Sequence, residues 1–143
     1  MLVTAALIAQ MLACASAAII LLLGSAHLLL TFHGNKLHPR DSELLARMDA
    51  TPAMISRQTS MWKSWIGFNA SHSLGAMVFG LVFGYLAWLQ PALLFGSYFL
   101  GLTGFLTLAS YLAIAKQYWF RRPLQGIALA LLLYVAAFGA WYV

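Results

Sequence analysis

Residues 64–115 read SWIGFNASHSLGAMVFGLVFGYLAWLQPALLFGSYFLGLTGFLTLASYLAIA, a stretch of 52 residues that contains no Lys, Arg, Asp or Glu. One crossing of a bilayer takes about 20 consecutive apolar residues, so this length accommodates two crossings. Gln90-Pro91 divides the stretch, because proline lacks a backbone N–H and is favoured at the start of a helix. The sequence therefore predicts two membrane-spanning helices, 64–89 and 92–115, joined by a very short turn.

The flanking sequence extends this pattern in both directions. Residues 1–35 and 123–143 also lack charged side chains, and each is long enough for one crossing, predicted over 3–32 and 123–142. Across the chain 63% of the residues are apolar and 8% are charged, whereas a soluble domain is about 25% charged. We therefore predict an all-α integral membrane four-helix bundle, with residues 1–143 forming a single transmembrane domain.

Composition excludes several other classes of protein. So apolar a chain is not disordered, and its single cysteine cannot build a disulfide scaffold. The net charge of +5 does not indicate nucleic-acid binding in so apolar a chain, so no nucleic-acid partner is expected. The residues up to Cys14 resemble a lipoprotein cleavage box, but no basic residue precedes Lys36 and the apolar run continues to Phe32. We therefore predict that this segment is the first span and not a cleaved signal peptide.

The basic residues predict the orientation in the membrane. All eight lie in the two loops 33–63 and 116–122, namely Lys36, Arg40, Arg47, Arg57, Lys63, Lys116, Arg121 and Arg122. By the positive-inside rule these loops are cytoplasmic, so both termini are expected outside the cytoplasm in a bacterial inner membrane. The positive charge of these loops is explained by its role in orienting the chain in the membrane and by attraction to anionic lipid headgroups.

The long loop 33–63 is predicted to contain two further helices. Asp41 follows Pro39-Arg40 and is a suitable N-cap, so a short helix should run to about Asp49. Thr51-Pro52 repeats the signal and predicts a second helix. The apolar residues of this second helix, which fall largely on one side, are Met54, Ile55, Met61, Trp62 and Trp65. The loop is therefore predicted to carry an amphipathic interfacial segment that leads into the second span.

Small residues at helical spacing predict where the spans pack. The stripes comprise Ala13, Ala17, Gly24, His27 and Thr31 in the first span, His72, Ala76, Gly80 and Gly84 in the second, and Ser97, Gly101, Gly104, Tyr111 and Ala115 in the third. Such stripes let helix backbones approach closely, which is how helices associate in lipid. Two histidines and one tyrosine lie on these stripes, so we expect their side chains to face the bundle.

A polar cluster is predicted near the cytoplasmic end of the bundle. His27 and His72 lie at ~9 to 14 Å from that end at 1.5 Å per residue. The candidate ligand-binding residues are His27, Asn69, His72, Tyr111, Ser25 and Ser73. Polar groups in hydrocarbon are costly and mark candidate functional sites. The alternative is that these side chains only hold the helices together by hydrogen bonds.

No metal or cofactor is assigned from the residues alone. Two imidazoles on separate helices could ligate a b-type haem, which stays a hypothesis. The spans contain no Asp or Glu, which excludes a carboxylate-bridged di-iron site. The chain also offers no GxxxxGK phosphate loop and no acidic partner for a Ser-His triad.

Three segments resemble a family of small bacterial four-span membrane proteins of uncharacterised function. They are Gly24-Ser25-Ala26-His27-Leu28 with Thr31-Phe32, Pro39-Arg40-Asp41, and Met61-Trp62-Lys63-Ser64-Trp65-Ile66-Gly67-Phe68-Asn69-Ala70-Ser71-His72-Ser73. The similarity extends over nearly the whole chain, and the family implies the four-span fold without an activity.

A fainter similarity is to the membrane-associated eicosanoid and glutathione metabolism proteins. Those are trimeric four-helix bundles with a long cytoplasmic first loop and a glutathione site near that side. Their second helix carries an Arg-rich stretch followed by Asn-x-x-Glu. Arg57, Lys63 and Asn69-x-x-His72 are the nearest match, with His in place of the expected Glu. This resemblance implies glutathione as an alternative cofactor.

The functional hypothesis from the sequence is a polar pocket near the cytoplasmic interface that binds a lipophilic small molecule of the lipid or quinone type. Membrane lipids are the expected partners, together with a membrane protein partner or further copies of the chain. One alternative is a non-catalytic accessory subunit of a larger membrane complex. Another is a membrane enzyme acting on a lipophilic substrate, glutathione-dependent or haem-linked.

Overall fold

The computed structural model describes the backbone of residues 2–143 and the side chains of residues 4–143. In chain order the elements are α1 (Leu2–Phe32), α2 (Ser42–Ala50), β1 (Pro52–Ala53), β2 (Ser56–Ser60), α3 (Met61–Leu89), α4 (Pro91–Gly96), α5 (Tyr98–Tyr118) and α6 (Arg121–Trp141). The four helices α1, α3, α5 and α6 are long and apolar enough to cross a membrane. The predicted all-α, multi-pass architecture with four spans is confirmed.

The residues group into two compact units. One contains the chain up to Leu23 together with Ala76–Val143, and we call it the bundle unit. The other is Gly24–Gly75, which we call the loop unit because it contains α2, both strands and the adjoining ends of α1 and α3. Whether the whole chain behaves as the predicted single domain stays a prediction.

The bundle unit is packed through small residues, as the stripes predict. Ala13 and Ala17 of α1 are buried, and Gly80 of α3 is buried against the same helix. A Cβ added to Gly80 would lie 2.7 Å from the Leu21 Cβ and 2.8 Å from the Ala17 backbone oxygen. At Gly84 the corresponding distance to the Ala17 Cβ is 3.5 Å, an ordinary contact. The predicted helix contact is therefore present, and it is tightest at Gly80.

Polar side chains in the bundle unit satisfy backbone carbonyls across helices. Ser16 of α1 has no exposed surface and donates to the Ala130 oxygen of α6 at 2.7 Å. Tyr142 donates to the Phe95 oxygen at the end of α4 at 2.6 Å. A buried carbonyl without a partner is unfavourable, so these bonds help to fix the helices against one another.

The third span differs from its prediction as one helix over 92–115. The chain instead forms α4, breaks at Ser97, and continues as α5 to Tyr118. Ser97 is extended, with φ −102° and ψ 109°, and its side-chain oxygen accepts the Leu100 N–H at 3.3 Å. Serine competes with the helix by capping the first turn that follows it, which explains the break.

The loop unit confirms the first predicted loop helix and corrects the second. Asp41 caps α2 by accepting the Glu43 N–H at 2.9 Å, as expected for an N-cap. The segment after Thr51-Pro52 is not a helix, however, but an antiparallel β-hairpin of β1 and β2. Thr51 is extended, with φ −97° and ψ 121°, because a residue before proline avoids the helical region.

The sequence of the second strand completes the explanation of this hairpin. The polar run 56–60 is rich in Ser and Thr, which are poor helix formers. The Met61 N–H donates to the Thr51 oxygen at 2.9 Å and closes the base of the hairpin. Met61, Trp62 and Trp65 consequently belong to the first turns of α3, which begins three residues before the predicted boundary at 64.

Candidate functional site

The centre of the candidate site is a hydrogen bond between the first two spans within the loop unit. The His27 Nε2 of α1 lies 3.0 Å from the Asn69 Oδ1 of α3. Asn69 is only 7% exposed, so its amide has little access to solvent or lipid. Its Nδ2 donates to the Trp65 carbonyl oxygen one turn earlier, at 2.8 Å.

These contacts determine whether the His27 Nε2 donates or accepts its hydrogen bond with Asn69. A carbonyl oxygen can only accept, so the Trp65 oxygen requires the NH₂ group of Asn69 on its side. The Asn69 Oδ1 is therefore the atom that faces His27, and it too can only accept. In this arrangement the His27 Nε2 carries a proton and donates it.

His72 completes the cluster, as predicted from its depth in the second span. Its ring centroid lies 5.9 Å from that of His27, and the two planes are nearly perpendicular at 88°. The Phe68 ring, one helical turn earlier on α3, is nearly parallel to the His72 ring, with centroids 6.4 Å apart and planes at 11°. We refer to His27, Asn69 and His72 as the histidine cluster.

His27 and His72 are half-buried residues. Asn69, which orients the His27 ring, is buried. At 1.5 Å per residue, His27 lies ~8 Å and His72 ~17 Å along their helices from the ends in the loop unit.

Two hydroxyls support the cluster from within their own helices. The Thr31 Oγ1 donates to the His27 oxygen at 2.8 Å, and the Ser73 Oγ donates to the Asn69 oxygen at 2.8 Å. Serine and threonine commonly bond the carbonyl four residues earlier in a helix. Ser73 has no exposed surface, so the structure places it beneath Asn69 as a backbone contact. Its predicted direct contact with a ligand remains untested.

Ser25 and Tyr111 are the remaining predicted site residues. Ser25 is half-buried in the loop unit, but two residues of helix place it on a different side of α1 from His27. Tyr111 belongs to the bundle unit, where it is half-buried and packs against the apolar core. Within the loop unit the structure brings His27, Asn69 and His72 together, and Ser73 bonds the Asn69 backbone oxygen. The role of Tyr111 at the site stays a prediction.

Sequence reasoning missed the part that tryptophans play around the cluster. Trp65 was predicted only as an interfacial aromatic, yet its carbonyl orients Asn69 and its Nε1 donates to the Leu37 oxygen at 3.2 Å. The neighbouring Trp62 ring meets His38 edge-on at 4.9 Å. The spacing of four residues between Trp65 and Asn69 was the available signal, since such residues are neighbours on a helix.

The geometry also bears on metal ligation. A nitrogen that donates a proton has no lone pair for a metal, so the His27 Nε2 is not a ligand atom in this arrangement. Among the residues that the structure describes, no three His, Cys, Asp or Glu side chains are grouped around a common metal position. Haem and glutathione stay untested hypotheses.

Comparison of the chain with protein-family models, with curated proteins and with solved structures found no match in any of the three. The two resemblances described above are therefore neither supported nor opposed by these comparisons. The interpretation of the site depends on the sequence and on the geometry of the histidine cluster.

Proposed function

We propose that the histidine cluster binds the polar head of a lipophilic small molecule of the lipid or quinone type. The observation that carries the proposal is a buried asparagine that fixes one imidazole beside a second, on two residues that are only half-buried. We place the site on the cytoplasmic side of a bacterial inner membrane, because all the basic residues lie in the loops at that end.

The chemistry of the cluster suits an amphipathic ligand. Imidazole nitrogens can donate or accept hydrogen bonds, so two adjacent imidazoles suit a polar head that carries both donors and acceptors. Hydroxyl, amine or carbonyl groups on a polar head can therefore be recognised. A polar group in hydrocarbon is stabilised by such partners, so a polar head is favoured at this position over an acyl chain alone.

Preorganisation distinguishes this arrangement from a simple interhelical contact. A hydrogen bond between His27 and Asn69 is sufficient to connect the two helices. The cluster additionally restrains the orientation of the ring through Trp65 and places His72 edge-on beside it. A ring held in one orientation loses little entropy when a ligand binds, which favours recognition.

The test is the identity of the molecules that purify with the protein. Wild type and His72→Gln are purified from native membranes in mild detergent, and bound lipids and quinones are quantified by mass spectrometry. Gln keeps a hydrogen-bonding side chain, so the fold should persist, whereas loss of an imidazole contact should lower retention of a specific ligand about tenfold. Ser71→Ala is the matched control, because Ser71 is exposed next to His72 and bonds the Phe68 oxygen of its own helix.

Two results would contradict the proposal. One is a bound fraction with the composition of the bulk membrane, and the other is a specific species retained equally by His72→Gln and wild type. A stoichiometric membrane protein that stays bound to every variant would favour the accessory-subunit hypothesis instead.

A further inference from the structure

The tip of the hairpin in the loop unit presents two apolar side chains to the surroundings. Met54 and Ile55 are 105% and 94% exposed, which makes them the most exposed large apolar residues in the described chain. They connect β1 to β2, where turn residues are usually polar. Contact with water is unfavourable for two such side chains, so an apolar environment would stabilise the tip.

The base of the hairpin is fixed at the first residue of a membrane span. Ser60 ends β2, Met61 begins α3, and the Met61 N–H donates to the Thr51 oxygen. Helix α3 has 29 residues. At 1.5 Å per residue it is ~43 Å long, which exceeds a hydrocarbon core of about 30 Å. Part of α3 therefore extends beyond the hydrocarbon core, and Trp62 and Trp65 in its first turns are of the residue type that is enriched in the headgroup layer.

The tip is consequently within reach of the lipid. Strand β2 has five residues, and at about 3.3 Å per residue the tip lies no more than ~17 Å from the start of α3. That distance is comparable to the combined depth of the headgroup layer and the upper acyl chains.

A basic depression lies between the hairpin and the neighbouring elements. It has a volume of about 260 Å³, and its polar lining includes Asp49, Arg57, Thr59, Ser60 and Lys63. Both cations are exposed. Within the described residues the ion pair joins Arg47 to Glu43, so neither Arg57 nor Lys63 is paired with a carboxylate. Asp49 instead accepts from the Ser60 hydroxyl at 3.4 Å.

We propose that this hairpin is a lipid-binding element, in which Arg57 and Lys63 bind the phosphate of an anionic phospholipid of the surrounding membrane while Met54 and Ile55 insert among its acyl chains. An apolar tip beside unpaired cations is the combination that binds anionic membrane surfaces. A free phosphate ion would use the cations and leave the tip in water. The proposal is independent of the histidine cluster and requires only that the chain spans a membrane.

The first experiment measures the depth of the tip in the full-length protein. Cys14 is replaced by Ala, a cysteine is introduced by Ile55→Cys, and an environment-sensitive fluorophore is attached in nanodiscs of phosphatidylcholine and phosphatidylglycerol. We expect a blue-shifted emission that phospholipids with a nitroxide near the top of the acyl chain quench. The matched control is Ala46→Cys on α2, which is exposed beside the Arg47–Glu43 ion pair and should resemble a probe in water.

The second experiment measures binding of the anionic lipid. Native mass spectrometry compares phosphatidylglycerol retained by wild type and by Arg57→Gln with Lys63→Gln. Removal of two basic residues at a membrane surface should lower retention about tenfold or more. The double variant Lys36→Gln with Arg40→Gln removes the same charge elsewhere in the loop, and it should retain phosphatidylglycerol much as wild type does.

Several results would overturn the proposal. An Ile55 probe that resembles the Ala46 probe would place the tip in water, and emission that depends on protein concentration would assign it to a second copy of the chain. Equal lipid retention by the two double variants would remove the specific role of Arg57 and Lys63. Displacement of phosphatidylglycerol by inorganic phosphate at millimolar concentration would identify a soluble anion as the ligand.

Discussion

Asn69 is the residue on which the geometry of the candidate site depends. Its Oδ1 accepts from His27, its Nδ2 donates to the Trp65 oxygen, and its backbone oxygen accepts from Ser73. Asn69 therefore makes hydrogen bonds to three residues, His27, Trp65 and Ser73, through its side chain and its backbone oxygen. In a region of low dielectric constant, loss of such a residue leaves donors and acceptors without partners.

We expect Asn69→Leu to destabilise the protein. Leucine has a comparable volume but cannot accept the His27 Nε2 proton. Because His27 is half-buried, we expect a cost of about 1 kcal/mol, the lower end of the range for a buried donor without an acceptor. Thermal unfolding in detergent, followed by circular dichroism, measures the effect. Ser71→Ala, on the exposed side of the same helix, is the control. Equal unfolding temperatures for the two variants would show that the His27–Asn69 bond contributes nothing to the fold.

The structural elements are held together by close backbone contact in the bundle unit. Gly80 and Gly84 are one helical turn apart on α3 and both face Ala17 of α1, yet a Cβ is tolerated differently at each. A Cβ added at Gly80 would clash with backbone atoms of Ala17 and Leu21 and with the Leu21 Cβ, none of which can move unless a helix shifts. At Gly84 an added methyl group would make an ordinary contact.

This difference predicts opposite effects of the same substitution. Gly80→Ala should destabilise the bundle by about 1–3 kcal/mol through overpacking. Gly84→Ala should be neutral or slightly stabilising, because alanine is favoured over glycine in a helix by about 1 kcal/mol and meets no clash here. Thermal unfolding of the two variants under identical conditions checks the prediction. A less stable Gly84→Ala protein would contradict the predicted order.

At the scale of the whole molecule, four spans require the loops to alternate between the two sides of the membrane. We therefore expect the loop between α1 and α3 and the two-residue connection between α5 and α6 on one side, with the basic residues in or next to them. The connection at Gln90 and both termini are expected on the other side. The positive-inside rule predicts that the basic side is cytoplasmic.

Reporter fusions test this orientation. We expect a fusion after Val143 to be active only with a reporter that functions outside the cytoplasm. An insertion of the same reporter next to Asp49 in α2 should give the reverse result. Cytoplasmic activity of the Val143 fusion would contradict the predicted orientation. Identical activity at both positions would contradict the three spans α3, α5 and α6 between them.

Features that depend on local composition could be predicted from the sequence alone. An uncharged apolar run of sufficient length must satisfy its backbone hydrogen bonds internally in lipid, so helices follow from 1–35, 64–115 and 123–143 without knowledge of packing. The cap at Asp41 and the approach of His27 and His72 could also be predicted from the sequence, because each depends on spacing along a helix.

Features that depend on contacts between residues far apart in the chain could be seen only in the tertiary structure. Thr51-Pro52 is a helix signal by local rules, but pairing with 56–60 and the bond from Met61 to Thr51 favour a hairpin. The helix break at Ser97 lies within an apolar run that showed no boundary. The orientation of the Asn69 amide, and with it the proton on His27, depends on the Trp65 carbonyl on one side and an imidazole of another helix on the other. Local sequence fixes which residues are helical and polar, whereas the atoms that these residues meet are fixed only when the helices pack.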